Sequence, residues 1–389
     1  MPEAAPVASA QKPDIQKPNI PNIIVFRDKL LLPSEGFIKT HYSAFDAANL
    51  VYLASQFGWR ADELDGQTMA TASGALQRFV FKQTGYTNRL ADLRQLTPKS
   101  VHAHFGRGGA LALPVAQALG VPLYVTFHGG DATKQTHSRR RLIPTIYQRR
   151  LSRLQAYASG FLCVSQFVAD RLAAQGFPKS KLITHYIGID LADMTPPIQR
   201  QGRLLFIGRL VDKKGVDILL AAMRRLHNTL REKAPGLDIA GAGPLEDTLR
   251  TQAADLPSVK FLGWQTPQQL ASVMRASQAV VVPSRMAADG DCEGLPTVVL
   301  ESIRAGLPVV ATNHAGIPEV IRDQETGFLV PENDPDALAA ALSAGMRPDD
   351  QIQQMVVNAQ ARLRQGFNAA IQSDKLQRRL LGIQPRARG

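Results

Sequence analysis

The chain has 389 residues, of which 44% are hydrophobic and 20% charged, a profile of a soluble globular protein too long for one ordinary core, so two or three domains are expected. No apolar run approaches the roughly 18 residues that cross a bilayer, the first residues hold no apolar signal core, and two cysteines, Cys163 and Cys292, exclude a disulfide framework and suit a cytoplasmic protein. The net charge of +12 is uneven: residues 1–200 hold 23 Lys+Arg against 13 Asp+Glu, and the remainder 22 against 20, so the first half is expected to face a membrane surface, a lipid phosphate or a nucleic acid.

Residues 1–21, rich in Pro and Ala, read as a disordered tail. Short β-branched and aliphatic runs then recur at 23–27, 101–105, 123–128, 161–165 and 182–187, with helical spacing between them. The stretch 194–202, with Pro196 and Pro197, reads as a linker. The pattern restarts at 203–209 and continues at 237–241, 259–263, 279–284, 308–312 and 327–331. Continuous apolar runs suit parallel strands buried on both faces. The predicted fold is α/β: two doubly wound, Rossmann-like parallel-sheet domains, 22–193 and 203–365, facing each other across a cleft. A C-terminal helix within 366–389 could return to the first domain.

Three stretches of the second half carry the chemistry. "FIGRLVDKKGVDIL" (206–219) ends a strand at Gly208 and opens a helix near Gly215. Arg209 and Lys214 therefore sit beside a helix N-terminus, where backbone amides and the helix dipole favour phosphate; a solvated basic turn is the alternative. "IAGAGPLEDTL" (239–249) repeats the turn with Gly241 and Gly243, although Glu246 and Asp247 speak against a simple phosphate cradle. "EGLPTVVLE" (293–301) is expected to start a helix near Pro296 and to end it near Gly306. Glu293 then precedes the helix, Glu301 lies inside it, and the backbone of Gly294, Leu295, Pro296 and Thr297 lies between. Amides flanked by two acceptor carboxylates suit a phosphorylated ligand with hydroxyls. The alternative makes Glu293 a dipole-compensating residue and Glu301 a surface residue.

In the first half, "YVTFHGGDAT" (124–133) places His128 at a strand end, followed by Asp131, and "VHAHFGRGGA" (101–110) places His102 and His104 similarly. Their spacing fits no usual zinc pattern, so no metal is expected. Residues 134–154 hold seven Lys+Arg, and Ile143, Tyr147, Leu151 and Leu154 form one helical stripe. Arg140, Arg141, Arg149 and Arg150 are expected to form a basic patch on an anionic bilayer; an ordinary helix with one core face is the alternative. Interleaved aromatics and a nucleic-acid module are both lacking, which disfavours nucleic acid as partner.

"GRLVDKKG", "GAGP" and "EGLPTVVLE", in this order and spacing, resemble the family-4 retaining glycosyltransferases of the GT-B fold, with Glu293 and Glu301 matching the E-x7-E signature. "PSEGFI" (33–38), "HAHFG" (102–106), "FHGGDAT" (127–133) and the "DGDCEGLP" loop are similar to the subgroup that builds bacterial exopolysaccharides and surface glycans. The resemblance covers about residues 22–345. It implies that Glu301 holds the ribose, Glu293 contacts the donor sugar, Arg209 and Lys214 hold the diphosphate, and His128 lies near the transferred sugar. Gly208, Gly243 and residues 294–297 would line the donor. The loop with Ser34, Glu35 and Gly36 would lie beside donor and acceptor, with His104 and Asp131 nearby. Ile187 departs from the pattern, since many relatives have Asn before the glycine of "YIGID".

The implied reaction moves a hexose-type sugar from GDP-mannose or a UDP-sugar to a glycan hydroxyl, with retention and without a metal or other cofactor. The expected acceptor is a lipid-diphosphate-linked oligosaccharide, reached by peripheral contact with the inner face of the cytoplasmic membrane. The alternatives are a nucleotide-sugar epimerase or hydrolase of the same fold, and a non-catalytic anion- or nucleic-acid-binding protein.

Overall fold

Thirteen parallel strands form two sheets in the computed structural model, which describes residues 19–30, 36–58, 63–134, 144–196, 202–347 and 350–383. The first sheet holds β1 (Asn22–Leu30), β2 (Asn49–Phe57), β3 (Gln67–Ala70), β4 (Ser100–His104), β5 (Leu123–Phe127), β6 (Gly160–Cys163) and β7 (Leu182–Thr184), in the order β3-β2-β1-β4-β5-β6-β7. The second holds β8 (Arg203–Ile207), β9 (Leu237–Ala240), β10 (Val259–Gly263), β11 (Ser277–Val282), β12 (Val309–Thr312) and β13 (Phe328–Val330), in the order β10-β9-β8-β11-β12-β13. All eleven runs read from the sequence overlap a strand. β2 and β3 are additional. β2 holds a buried apolar run, residues 50–54, of the same kind as those read, and β3 is the short sequence QTMA at a sheet edge, which offers no apolar run to read.

Alternation along each strand divides the first core in two. Ile24 and Phe26 of β1 pack with Val51, Leu53 and the residues Ala110–Leu113 of helix Gly106–Leu119. Ile23 and Val25 pack on the other face with Tyr42, Tyr52, Leu376 and Leu380. The last two belong to helix Ala369–Leu380, whose Ser373 hydroxyl and Gln377 side-chain carbonyl accept from the Ala44 and Ala47 amides. In the second core Leu204 and Phe206 pack against Leu219, Leu220 and Met223 of helix Val216–Leu230, with Leu338 and Leu342 beside them.

The chain divides into two compact units. One contains the residues up to 132, those as far as Gly188, and those from Ala369 on; the other contains Ile189–Asn368 with Thr133 and Lys134. The expected tail lies outside the described residues as far as residue 18, and the expected linker does so at 197–201.

Each sheet reverses its winding once, between β1 and β4 and between β8 and β11. Ligands of such sheets bind beyond the strand C-termini at that reversal, because the loops there part in opposite directions. The relevant segments are those after β4 and β5 in the first unit, and those after β8 and β11 in the second.

Candidate functional site

In the second unit the loop after β8 turns sharply at Gly215, whose φ is +63° and where a Cβ would stand 2.0 Å from the Pro283 carbonyl oxygen. Only glycine lets this loop lie against the segment after β11. Lys213 and Lys214, from the turn Asp212–Lys214, thereby converge on Glu293. The Lys214 Nζ is 3.1 Å and the Lys213 Nζ 3.7 Å from Glu293 Oε1, and Lys213 also lies 3.3 Å from Asp291 Oδ1. Burial alone would raise the Glu293 pKa, but attraction to Lys214 and Lys213 outweighs it and holds the carboxyl below the ordinary glutamate value. Burial likewise opposes the Lys213 charge, and Glu293 and Asp291 outweigh it and raise its pKa. Glu293 is thus an ionised carboxylate in a lysine pair, which neither reading of the sequence contained.

The backbone of Glu293 is fixed separately. Its amide donates to His314 Nε2 at 3.3 Å, and His314 Nδ1 lies 2.6 Å from Glu332 Oε1. A ring nitrogen that accepts carries the lone pair, so the His314 proton sits on Nδ1, facing Glu332. The second Glu332 oxygen accepts from the Met286 amide at 2.9 Å, and the Gly316 amide donates to the Gly294 carbonyl at 3.0 Å. Lys213, His314 and Glu332 were not singled out from the sequence. Lys213 stands next to Lys214 in "DKKG", whereas His314, two residues beyond the 308–312 run, carries only its strand-end position as a signal.

Helix Thr297–Arg304 starts one residue later than expected, with Pro296 as the flanking cap. Gly294, Leu295 and Pro296 are buried, while Glu293 and Thr297 are half-buried. The amides that open the helix lack carbonyls one turn back and carry its positive end. Glu301 follows one turn later and accepts from Thr297; burial raises its pKa, against the pull of Arg304. Arg209 is exposed, and its guanidinium makes no ion pair among the described residues. Gly208 lies beside the aliphatic part of Lys214. A Cβ on Gly241 would stand 1.9 Å from Gly208 O, and one on Gly243 2.4 Å from Leu210 O. Gly243, expected to line the donor, therefore lets the segment after β9 pack against the 208–210 backbone.

In the first unit the segments after β4 and β5 are tied by one carboxylate: Asp131 accepts from the Gly106 amide at 3.0 Å and the His128 amide at 2.9 Å. Burial raises its pKa, and these two hydrogen bonds oppose that. His102 and His104, two residues apart on β4, point to one face, with ring centroids 4.8 Å apart. His104 Nδ1 lies 3.0 Å from His128 Nε2. Burial, aided by neighbouring histidines and Arg27, pushes the His104 and His128 pKa values well below the ordinary range. Ser34 and Glu35 lie outside the described residues, and Gly36 opens helix Gly36–His41. Among the described residues no group of three or more His, Cys, Asp or Glu side chains is arranged to hold a metal ion.

The basic segment needs correction. Its described part is helix Ile146–Tyr157, capped by Thr145. Arg150, expected on an exposed patch, is only 8% exposed, because its guanidinium donates to the carbonyls of Ala110 at 2.9 Å and Gln83 at 2.7 Å. Arg149 is exposed and donates to Gln83 Oε1. Arg140 and Arg141 lie outside the described residues. Among the described residues no helix is long and apolar enough to cross a membrane.

Residues 201–347 match the family described as glycosyl transferases group 1, and residues 71–193 match glycosyltransferase family 4. The chain is 31% identical over 282 residues to WcaL of Escherichia coli K12, assigned to colanic acid biosynthesis as a glycosyltransferase, a match spanning 69% of this chain and 67% of that one. It is 29% identical over 367 residues to the amylovoran biosynthesis glycosyltransferase AmsK of Erwinia amylovora, spanning 86% and 87%. The fold matches that of Anabaena Alr3699/HepE, solved in complex with UDP, with a TM-score of 0.73 at 17% identity, over 94% of this chain and 100% of that one. With two parallel-sheet units of the GT-B kind and the lysine–glutamate loop at the reversal of the second sheet, the chain belongs to glycosyltransferase family 4 and is a glycosyltransferase.

Proposed function

We propose that this glycosyltransferase moves a hexose-type sugar from a nucleotide-diphosphate sugar, GDP-mannose or a UDP-sugar, to a glycan hydroxyl in exopolysaccharide or surface-polysaccharide assembly. The observation that carries this reading is the Glu293 carboxylate, kept ionised by Lys213 and Lys214 at the sheet reversal. An ionised carboxylate only accepts hydrogen bonds, which suits sugar hydroxyls. Lys213 and Lys214 face Glu293 and Asp291, Lys134 lies 3.1 Å from Asp291 as well, and Arg209 in the same loop and the amides opening helix Thr297–Arg304 add further positive charge. That positive charge meets the negative charge growing on the leaving diphosphate, and the attraction is strongest where the negative charge is largest, in the transition state. This set of cations serves the leaving group without a metal.

Glu301 takes the ribose hydroxyls, and His128 takes the sugar side. Retention follows when the acceptor attacks the face the diphosphate leaves: the bond from anomeric carbon to phosphate oxygen breaks, the new glycosidic bond forms, and the acceptor proton passes to the departing phosphate oxygen. WcaL and AmsK, by the polysaccharides they are assigned to, support the exopolysaccharide role. HepE, which shares the fold, is solved with UDP and with UDP-glucose, which supports a nucleotide sugar as donor. Purified protein should release nucleoside diphosphate from one member of a nucleotide-sugar panel only when a lipid-diphosphate-linked acceptor is present. Equal release without acceptor would replace the transferase by a hydrolase.

The acceptor is lipid-linked in this reading, and the first unit is suited to reach it. Helix Ala75–Thr84 exposes Leu76 and Phe79 one turn apart, at 76% and 61%, with Tyr86 just beyond at 70%. Arg78 lies on the same helix, and Arg149 reaches its Gln83. Apolar and aromatic side chains beside arginines fit an anionic lipid surface. Replacing Leu76 and Phe79 together by Glu should abolish co-sedimentation with phosphatidylglycerol vesicles. Undiminished sedimentation would reject this surface.

A further inference from the structure

The donor chemistry leaves unused a hydrogen-bonded chain buried in the first unit. Tyr42, directly after helix Gly36–His41, places its hydroxyl 2.7 Å from His102 Nδ1 and 2.7 Å from His104 Nε2. The far nitrogen of His102, Nε2, lies 2.7 Å from Thr126 Oγ1, and that of His104, Nδ1, lies 3.0 Å from His128 Nε2. His102, His104 and Thr126 have no exposed surface, and Tyr42 is 5% exposed. β4 supplies the two histidines of one face, β5 supplies Thr126 and runs into His128, and the helix Gly36–His41 delivers Tyr42 between them.

Counting protons along this chain leaves only two arrangements. A neutral imidazole has one N–H and one lone pair, and the phenol has one hydrogen to donate. If Tyr42 donates to His102, it accepts from His104 Nε2–H. His104 Nδ1 then bears a lone pair and accepts from His128 Nε2–H. If Tyr42 donates to His104 instead, it accepts from His102 Nδ1–H. His104 Nδ1–H then donates to His128 Nε2, and the His128 proton resides on Nδ1. Any mixed arrangement either sets two N–H groups or two lone pairs against each other or leaves the Tyr42 hydroxyl hydrogen without either histidine as acceptor, in a dry interior where an unmade hydrogen bond costs about 1–3 kcal/mol.

The surroundings keep the chain in neutral forms. Burial first, then the neighbouring charges, holds His102, His104 and His128 well below the usual histidine range. His41, with its ring 5.6 Å from His104 and 6.0 Å from His128, is pushed to about 4, and His185, 6.1 Å from His41, to about 3. Arg27 on β1 adds a fixed positive charge that opposes protonation of His104 and His128.

We propose that Tyr42 is a positioning residue: through His104 its single hydroxyl hydrogen sets which ring nitrogen of His128 carries the proton, and the chain Thr126–His102–Tyr42–His104–His128 adopts one tautomer set as a unit. The consequence for turnover rests on the reading of His128 as a sugar-side residue. A ring nitrogen in one set donates to a sugar oxygen and in the other accepts from a sugar hydroxyl.

Two-bond 1H–15N correlation spectra of full-length protein labelled at histidine nitrogens distinguish the tautomers directly. The wild type should show His102, His104 and His128 each in a single neutral form. Tyr42→Phe, folded by circular dichroism, should shift His104 and His128 together to another tautomer or a mixture. Should Tyr42→Phe fail to fold, Thr126→Val, at the far end of the same chain, carries the same expectation. An unchanged His128 tautomer in the folded variant overturns the proposal. In the transfer assay Tyr42→Phe should lower kcat on the order of tenfold or more with the donor KM unchanged. A moved tautomer with wild-type kcat would leave the coupling standing and remove His128 from the sugar side, so the two failures are distinguishable.

Discussion

The two units place polar groups at the same point of their sheets and use opposite physics there. In the second, Lys213, Lys214, Glu293 and Asp291 meet as ions on loops beside a helix N-terminus. In the first, His102, His104, His128 and Tyr42 meet as hydrogen-bonding groups that burial keeps from ionising. Partly hydrated loops can hold ions because water and opposite charges offset the desolvation cost, whereas a dry sheet face favours groups whose protons are matched one to one. The difference teaches that charge alone does not locate function in this chain: the more basic half carries the neutral cluster.

The largest effect should come from discharging the ionic site. Glu293→Gln keeps the shape, removes the acceptor charge and leaves two lysines facing each other. Turnover in the nucleoside diphosphate release assay should fall about 10²–10³-fold, the scale of one preorganised electrostatic group, with wild-type circular dichroism. Arg209→Ala should act in the same direction. Near-wild-type turnover in either folded variant would sink the assignment of the second unit's loop.

Acid should separate the units next. The His41 and His185 pKa values are depressed to about 4 and about 3. Below the free histidine value of about 6.5 the unfolded chain takes up protons that the folded chain refuses. Stability of the first unit is therefore lost as pH falls from about 6.5 toward 4 for His41 and toward 3 for His185. Each tenfold loss of proton affinity on folding corresponds to about 1.4 kcal/mol, so His41 alone accounts for about 3 kcal/mol. The Glu293 pKa is depressed too, by its lysines, so its contribution is complete above the free glutamate value of about 4.3 and is lost only below it. Hydrogen exchange read by mass spectrometry at about pH 5 should show opening first in β4 and β5 of the first unit. Earlier opening around β8 and β11 would reverse the contrast.

Sequence and structure agree best where the determinants are local. The loops 208–215 and 293–301 were legible because glycine, charge and strand end fall within one short stretch, and the resemblance named the same residues. The Lys214–Glu293 pair was not legible, since it joins residues far apart in sequence through a turn that Gly215 alone permits. Gly243 shows a long-range role that its motif does not reveal: its missing Cβ lets the segment after β9 pack on the Leu210 backbone. The histidine network draws on segments near 42, 102, 126 and 128, and each of its members looks ordinary alone. The sequence reading put His102 and His104 at a strand end without pairing them on one face, and Tyr42 as their bridge depends on how helix Gly36–His41 docks.

Arg150 gives the smallest effect and the finest test of the contrast, because there the first unit does bury a cation. It succeeds by giving the guanidinium two carbonyl acceptors, Ala110 O and Gln83 O, in place of an acidic partner. Burial and the nearby Arg153 and Arg149 lower its pKa, as expected where hydrogen bonding rather than a counter-ion holds the charge. Arg150→Met retains the aliphatic stem and strips the donors, leaving two carbonyls short of partners, at about 1–3 kcal/mol by denaturant titration. Arg149→Ala, one residue earlier and exposed, should change stability by less than about 0.5 kcal/mol and act on vesicle binding instead. Equal destabilisation by the two would mean that the helix bears its arginines as one surface, and the division between a structural Arg150 and a lipid-facing Arg149 would fall.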